Sequence, residues 1–177
     1  MTLSKFILIL SLITTLFQPT NGQSKTDKLI DIRKTFQKIN NDTSLKKKTI
    51  DDAEKFLGHA TDGGGELIGY FHKDSLCKIF ATVGLSYGSI SDEYYFRNGK
   101  LIFVYEVEKD FPETDSLGGL DFNKLDLVFE GRYYFDNDKM IDKITKGKRR
   151  FEDRQDNAAL FITDAKDYSR LITKKGR

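Results

Sequence analysis

With one cysteine, Cys77, this chain can form no intramolecular disulfide, so the fold must hold through its core. Histidine is as scarce. His59 and His72 are the only two, and their only acidic companions in reach are Asp62, Glu66 and Asp74. A zinc site needs three or four ligands, so no metal and no cofactor is expected. Of the two prolines, Pro19 ends an apolar run and Pro112 sits in a long loop. The apolar run 6–17 falls short of the ~20 residues that span a bilayer, which argues against a transmembrane anchor. An excess of one charge is missing too. Without the first 22 residues, whose only charge is Lys5, 28 basic residues face 27 acidic ones, net +1. That balance argues against a nucleic-acid binder.

Residues 1–22 have the order of a secretory leader. Lys5 is the positive start, 6–17 the apolar stretch, and Pro19-Thr20-Asn21-Gly22 a helix break with small residues before the cut. Cleavage is expected before Gln23, which leaves 23–177 as one domain, secreted or periplasmic.

Residues 24–39 are predicted to be a helix, because Leu29, Ile32, Phe36 and Ile39 recur at three- and four-residue spacing. A second helix is predicted over 45–57, with Ile50, Ala53 and Leu57 inward, Lys46-Lys47-Lys48 outward and Gly58 ending it. Thr61-Asp62-Gly63-Gly64-Gly65 is a loop. It lacks the Gly-Lys-Ser/Thr of a phosphate-binding loop, and Glu66 opens a strand. Three hairpins are then predicted: 66–72 with 76–83, 91–97 with 100–108, and 125–136 with 139–145. Residues 109–123 form a long loop, and 146–150 are basic and expected to be exposed. A last helix over 156–172 places Phe161, Ala165, Tyr168 and Ile172 on one face, with Asp156 or Asn157 as its cap.

The hairpins repeat one pattern. Tyr94-Tyr95-Phe96-x-Asn98-x-Lys100-Leu101-Ile102 matches Tyr133-Tyr134-Phe135-x-Asn137-x-Lys139-Met140-Ile141 at an offset of 39. Tyr70-Phe71 followed by Leu76 is a weaker copy at an offset of 25 from Tyr95-Phe96 and Leu101. Unequal offsets suit a meander and speak against a regular solenoid or propeller. The run 64–150 resembles a group of uncharacterised exported bacterial proteins with repeated Glu-Tyr-Tyr-Phe-x-x-Gly-Lys-Leu hairpins, written here as Glu93-Tyr94-Tyr95-Phe96-Arg97-Asn98-Gly99-Lys100-Leu101. It is also similar in flavour to MORN repeats, though their regular spacing is missing and Asp138 stands where the glycine would be. The resemblance implies a β-meander and export, and brings no activity with it.

Asn98-Gly99 between two aromatic and β-branched arms signals a tight type I′ turn. A regular register from that turn places Tyr94, Phe96, Leu101, Phe103, Ile90 and Val107 on one face, which should be the core. Glu93, Tyr95, Ile102, Val104, Ser91 and Glu106 fall on the other. The third hairpin adds Phe129, Tyr133, Phe135, Met140 and Ile144 to the core face. The opposite face carries Tyr70, Tyr95 and Tyr134, with Ile68, Ile102 and Ile141 near them. Tyrosine offers apolar area with a hydroxyl handle, so these three are the candidate ligand-binding residues; the alternative is that they are ordinary cross-strand pairs or lie under a helix.

No catalytic residue is assigned. Ser75-Leu76-Cys77-Lys78 has the Ser-x-x-Lys spacing of acyl-enzymes but starts a strand, where i and i+3 point to opposite faces. Cys77 is expected to be packed beside Ile79 and Ala81, and Asp136-Asn137-Asp138 lacks the pattern of a calcium loop. The expectation is an α+β domain: an antiparallel β-meander of about six strands, with N-terminal helices and a C-terminal helix packed on it. Its role is read as an exported, non-enzymatic binding or envelope-associated module for an unidentified protein or small-molecule partner. The alternative is a hydrolase or other enzyme with a carboxylate-based site at a sheet edge.

Overall fold

The computed structural model describes residues 23–114, 118–151 and 157–174. The expected leader, Asp115-Ser116-Leu117, Asp156 and the last three residues lie outside the described residues. Helix α1 (Lys25–Asn41) starts where Ser24 both donates to the Asp27 carboxylate (2.7 Å) and accepts from its N–H (3.1 Å). The chain then makes β1 (Lys46–Ile50), a five-residue helix α2 (Ala53–Leu57) and six further strands: β2 (Gly65–His72), β3 (Ser75–Leu85), β4 (Gly88–Arg97), β5 (Lys100–Asp110), β6 (Asp126–Asp136) and β7 (Lys139–Gly147). Helix α3 (Ala158–Thr173) follows, capped by the Asn157 side chain at the Ala159 N–H. The strands form one antiparallel sheet in chain order, β1 to β7. α1 packs on one face; α2 and α3 pack on the other.

The sheet therefore has seven strands where about six were expected. The extra one comes from the predicted second helix. Residues 46–50 pair with β2, Lys46 opposite Phe71 and Ile50 opposite Leu67, and only 53–57 are helical. Asp52 caps that short helix at the Glu54 N–H, and Gly58, at φ 79°, ends it as predicted. β1 is an edge strand, and its three lysines are exposed. Lysines on a free edge discourage pairing with another chain.

The turn at Asn98-Gly99 is as predicted, with φ of 51° and 75°. Arg97 pairs with Lys100 and Phe96 with Leu101; the register then shifts, so that Tyr95 faces Phe103 and Tyr94 faces Val104. Ile102 is an extra residue, a β-bulge. The same shift recurs at the same place in the other two hairpins: between Tyr70 and Phe71, where Cys77 is extra, and between Tyr134 and Phe135, where Ile141 is extra. The sequence repeat is thus a repeat of turn plus bulge.

The bulge corrects the face assignment. At a bulge two consecutive side chains share a face, so Ile102 and Phe103 both join the cluster under α1, and Val104 turns toward α3. Tyr94, Phe96, Leu101, Tyr133, Phe135 and Met140 do line the α3 side as expected. Phe103 does not, and Glu106 faces α3 instead of the polar face. Ile144 is displaced in the same way: it pairs with Arg132, whose guanidinium stacks over Tyr105, and is left 43% exposed. Cys77 was expected beside buried Ile79 and Ala81. Those two lie in the α3-side core, whereas Cys77 belongs to the α1 side and is only half-buried.

The α3-side core is the larger. The predicted stripe Phe161, Ala165, Tyr168 and Ile172 is the buried face of α3. Phe161 lies 4.5 Å from the Tyr133 ring, and Tyr168 meets Tyr94 and Phe56 edge-on at 5.7 and 5.9 Å.

Candidate functional site: a groove between α1 and the tyrosine face

The three tyrosines named from the sequence share the α1 face but have different surroundings. Tyr95 is fully buried beneath α1. Its phenol donates to Glu93 and accepts from the Asn40 amide at 3.0 Å. Burial, then the neighbouring Glu93 carboxylate, push its pKa far above the usual phenol value. Lys78 pairs with Glu93 at 2.7 Å and lies over both the Tyr95 ring (5.1 Å) and the Tyr70 ring (5.5 Å). Lys47 of β1 covers Tyr70 from another side at 5.4 Å. Tyr70 and Tyr95 are therefore joined through Lys78, in a polar knot that anchors the end of α1. This also gives Lys78 a partner other than Ser75.

Tyr134 is 3% exposed and packs on Phe103 at 5.0 Å, which in turn meets Tyr95 at 5.6 Å. It borders an opening. Between α1 and strands β5 and β6 runs a groove of about 410 Å³, lined by Ile32, Arg33, Phe36 and Gln37 of α1 and by Phe103, Tyr105, Arg132 and Tyr134 of the sheet. It exists because α1 seats only part of one face. Ile32 and Ile39 are its buried residues, and Phe36 meets Tyr95 and Phe103 at 4.9 and 5.4 Å. The rest of its attachment is the Asn40–Tyr95 hydrogen bond and ion pairs: Lys25 to Asp142 (2.9 Å), Lys28 to Asp136 (2.6 Å), and Asp31 to Arg97. Partly exposed pairs of this kind contribute ~0–1 kcal/mol each.

Two guanidinium groups sit over aromatic rings at the groove: Arg33 over Tyr134 at 5.6 Å and Arg132 over Tyr105 at 5.5 Å. Arg132 is also paired with Glu130. Burial, then the hydrogen bond to Glu130, raise the Tyr105 pKa. An apolar slot with cationic rims can hold an apolar ring and orient it by a charge. A larger cleft of about 610 Å³ opens where β3 and β4 separate past the Lys78–Tyr95 pair, and Cys77, His72, Phe96 and Arg97 help to line it. His72 Nδ1 is 3.3 Å from Asp42, whose carboxyl is held below its usual value mainly by hydrogen bonds from Ser44. Among the described residues no group of three or more His, Cys, Asp and Glu side chains is placed to hold a metal ion.

Sequence reasoning missed a buried ionic cluster on the α3 side. Asp92 and Glu106 are direct cross-strand partners, and both are buried, as is Glu108. Glu106 accepts from the Tyr133 phenol at 3.0 Å and pairs with Arg149, which also reaches Glu108 at 3.5 Å and stacks on Phe129 at 3.8 Å. Arg149 was expected to be exposed; only 10% of its side chain is. Gly131 makes room for this contact, since a Cβ there would lie 2.5 Å from the Tyr133 hydroxyl oxygen. The available signal was acid at alternate positions, Glu106 and Glu108, in an otherwise apolar strand. Without the bulge their direction could not be read. With Glu106 and Glu108 held by the Arg149 guanidinium and Glu106 also by the Tyr133 phenol, the cluster ties β5, β6 and the segment after β7 together.

Among the described residues no helix is long and apolar enough to cross a membrane. Comparison of the chain with protein-family models, curated proteins and solved structures finds no match in any of the three.

Proposed function

We propose that the protein is an exported, non-enzymatic binding module, secreted or periplasmic, and that the groove along α1 is where it binds its ligand. The observation that carries this reading is the groove's lining. Phe36, Phe103, Tyr105 and Tyr134 surround a space of about 410 Å³, with Arg33 and Arg132 stacked at its rim. Small-molecule sites are typically apolar concavities of ~300–1,000 Å³ with a few placed polar groups. Of the three tyrosines proposed from the sequence, Tyr134 belongs to this site, Tyr95 holds the helix that forms its wall, and Tyr70 lies beside Tyr95 across Lys78. Export rests on the basic, apolar, polar order of residues 1–22.

The site is tested by screening small fragments against ¹⁵N-labelled protein. Hits should shift amide signals in 32–37, 103–105 and 132–134. Hits that cluster elsewhere, or that still bind when Gln37→Trp fills the groove, overturn the assignment. Export is tested by mass spectrometry of protein released by its host, which should begin at or near Gln23.

A further inference from the structure

The groove has one unbalanced charge. Two cations line it, Arg33 and Arg132, and Arg132 is already held by Glu130. Arg33 is left over. Among the described residues it forms no ion pair, and its guanidinium lies over the Tyr134 ring at 5.6 Å. A guanidinium with no ion-pair partner has N–H groups left to donate, and these match a carboxylate with two parallel hydrogen bonds. Beneath it the walls are four aromatic rings, those of Phe36, Phe103, Tyr105 and Tyr134.

We propose that the groove takes a small planar aromatic acid, its ring system held among these side chains and its carboxylate on Arg33. This rests on the groove being the ligand site. The free volume suits one fused ring system with a short substituent. The single unpaired cation selects one negative charge. A neutral ring of the same shape would fill the slot and leave Arg33 facing water.

The test uses two probes of one shape, 2-naphthoate and 2-naphthamide, titrated into the full chain and followed by ¹⁵N shifts. The acid should bind about tenfold tighter, the scale of one charge-assisted hydrogen-bonded contact. Arg33→Gln should erase that preference and leave both probes weakly bound. Gln37→Trp should abolish both. Arg33 and Gln37 are exposed on α1, away from buried Ile32 and Ile39, so neither variant disturbs the core. Equal affinity for the two probes, or an acid preference that survives Arg33→Gln, overturns the aromatic acid and leaves the groove as the site. Binding of neither probe, or binding unchanged by Gln37→Trp, overturns the groove together with the acid.

Discussion

The two faces of this sheet are each covered by one long helix, and they are closed to different degrees. α3 buries four side chains, Phe161, Ala165, Tyr168 and Ile172, in a cluster with α2 and the strands. α1 buries Ile32 and Ile39 and completes its attachment with Asn40 on Tyr95 and with ion pairs at its exposed turns. Apolar burial of ~25 cal/mol per Å² rewards full coverage. Partly exposed charge pairs reward position and little else. A helix held in the second way leaves its flanks open, and the groove lies along one of them. The α3 face is accordingly the stability core, and the α1 face has the surface to spare.

The largest effect that separates the two faces should come from Phe161→Ala. Phe161 sits between Tyr133 and Phe135, with centroids at 4.5 and 6.4 Å, and truncating it leaves a cavity. A loss of about 3–5 kcal/mol is expected, read as a lower urea midpoint. Ile32→Ala on α1 is 2% exposed in the parent and should cost about 2–3 kcal/mol, the lower part of the range for such truncations, because the groove beside it lets α1 settle. Equal losses for these two variants would show that α1 is packed as tightly as α3.

Gly99→Val comes next. Gly99 has φ of 75° and open space around a Cβ, so the substitution is opposed by backbone strain alone, about 1–2 kcal/mol. Asn98→Gly should be much milder. Matched midpoints for the pair would undo the turn, and with it the bulge that assigns residues to the two faces.

The smallest effect is that of Tyr95→Phe, about 1 kcal/mol at neutral pH from the lost hydrogen bonds to Glu93 and Asn40. Its pH dependence is more telling. Burial and then Glu93 raise the Tyr95 pKa above that of the unfolded chain, which is about 10. Below about pH 10 both states are protonated and stability does not respond. Above it the unfolded chain ionises first, so stability falls as pH rises, by up to ~1.4 kcal/mol per pH unit for this phenol. Tyr70 and Tyr105 are raised too and add to the fall. Denaturation midpoints from about pH 9 to pH 11 should drop less steeply for Tyr95→Phe than for the parent. Parallel slopes would mean that Tyr95 is not sealed under α1.

Much of the fold was legible because its signals are local. Phe161, Ala165, Tyr168 and Ile172 lie at helical spacing and are the face that α3 buries. Asn98-Gly99 demands positive φ and has it. Lys46–Ile50 was misread because five residues carry too little periodicity to separate strand from helix, and pairing with β2 decided it. The candidate site was legible only in part. Tyr134 was named, but Arg33, Phe36, Tyr105 and Arg132 come together only once α1 is docked.

By itself, the sequence determined the order of most elements, the hairpin turns, the inward stripes of α1 and α3, and the repeat that links the hairpins. Each of these follows from φ/ψ preference or side-chain spacing within a dozen residues. Only the tertiary structure decided the phase of the strands. A bulge adds one residue and reverses every side chain beyond it, and Cys77, Ile102 and Ile141 carry no local mark of being extra. What places them is packing on both faces at once. From that phase follow the burial of Glu106 against Arg149, the exposure of Ile144, and the row of rings over which α1 leaves its groove.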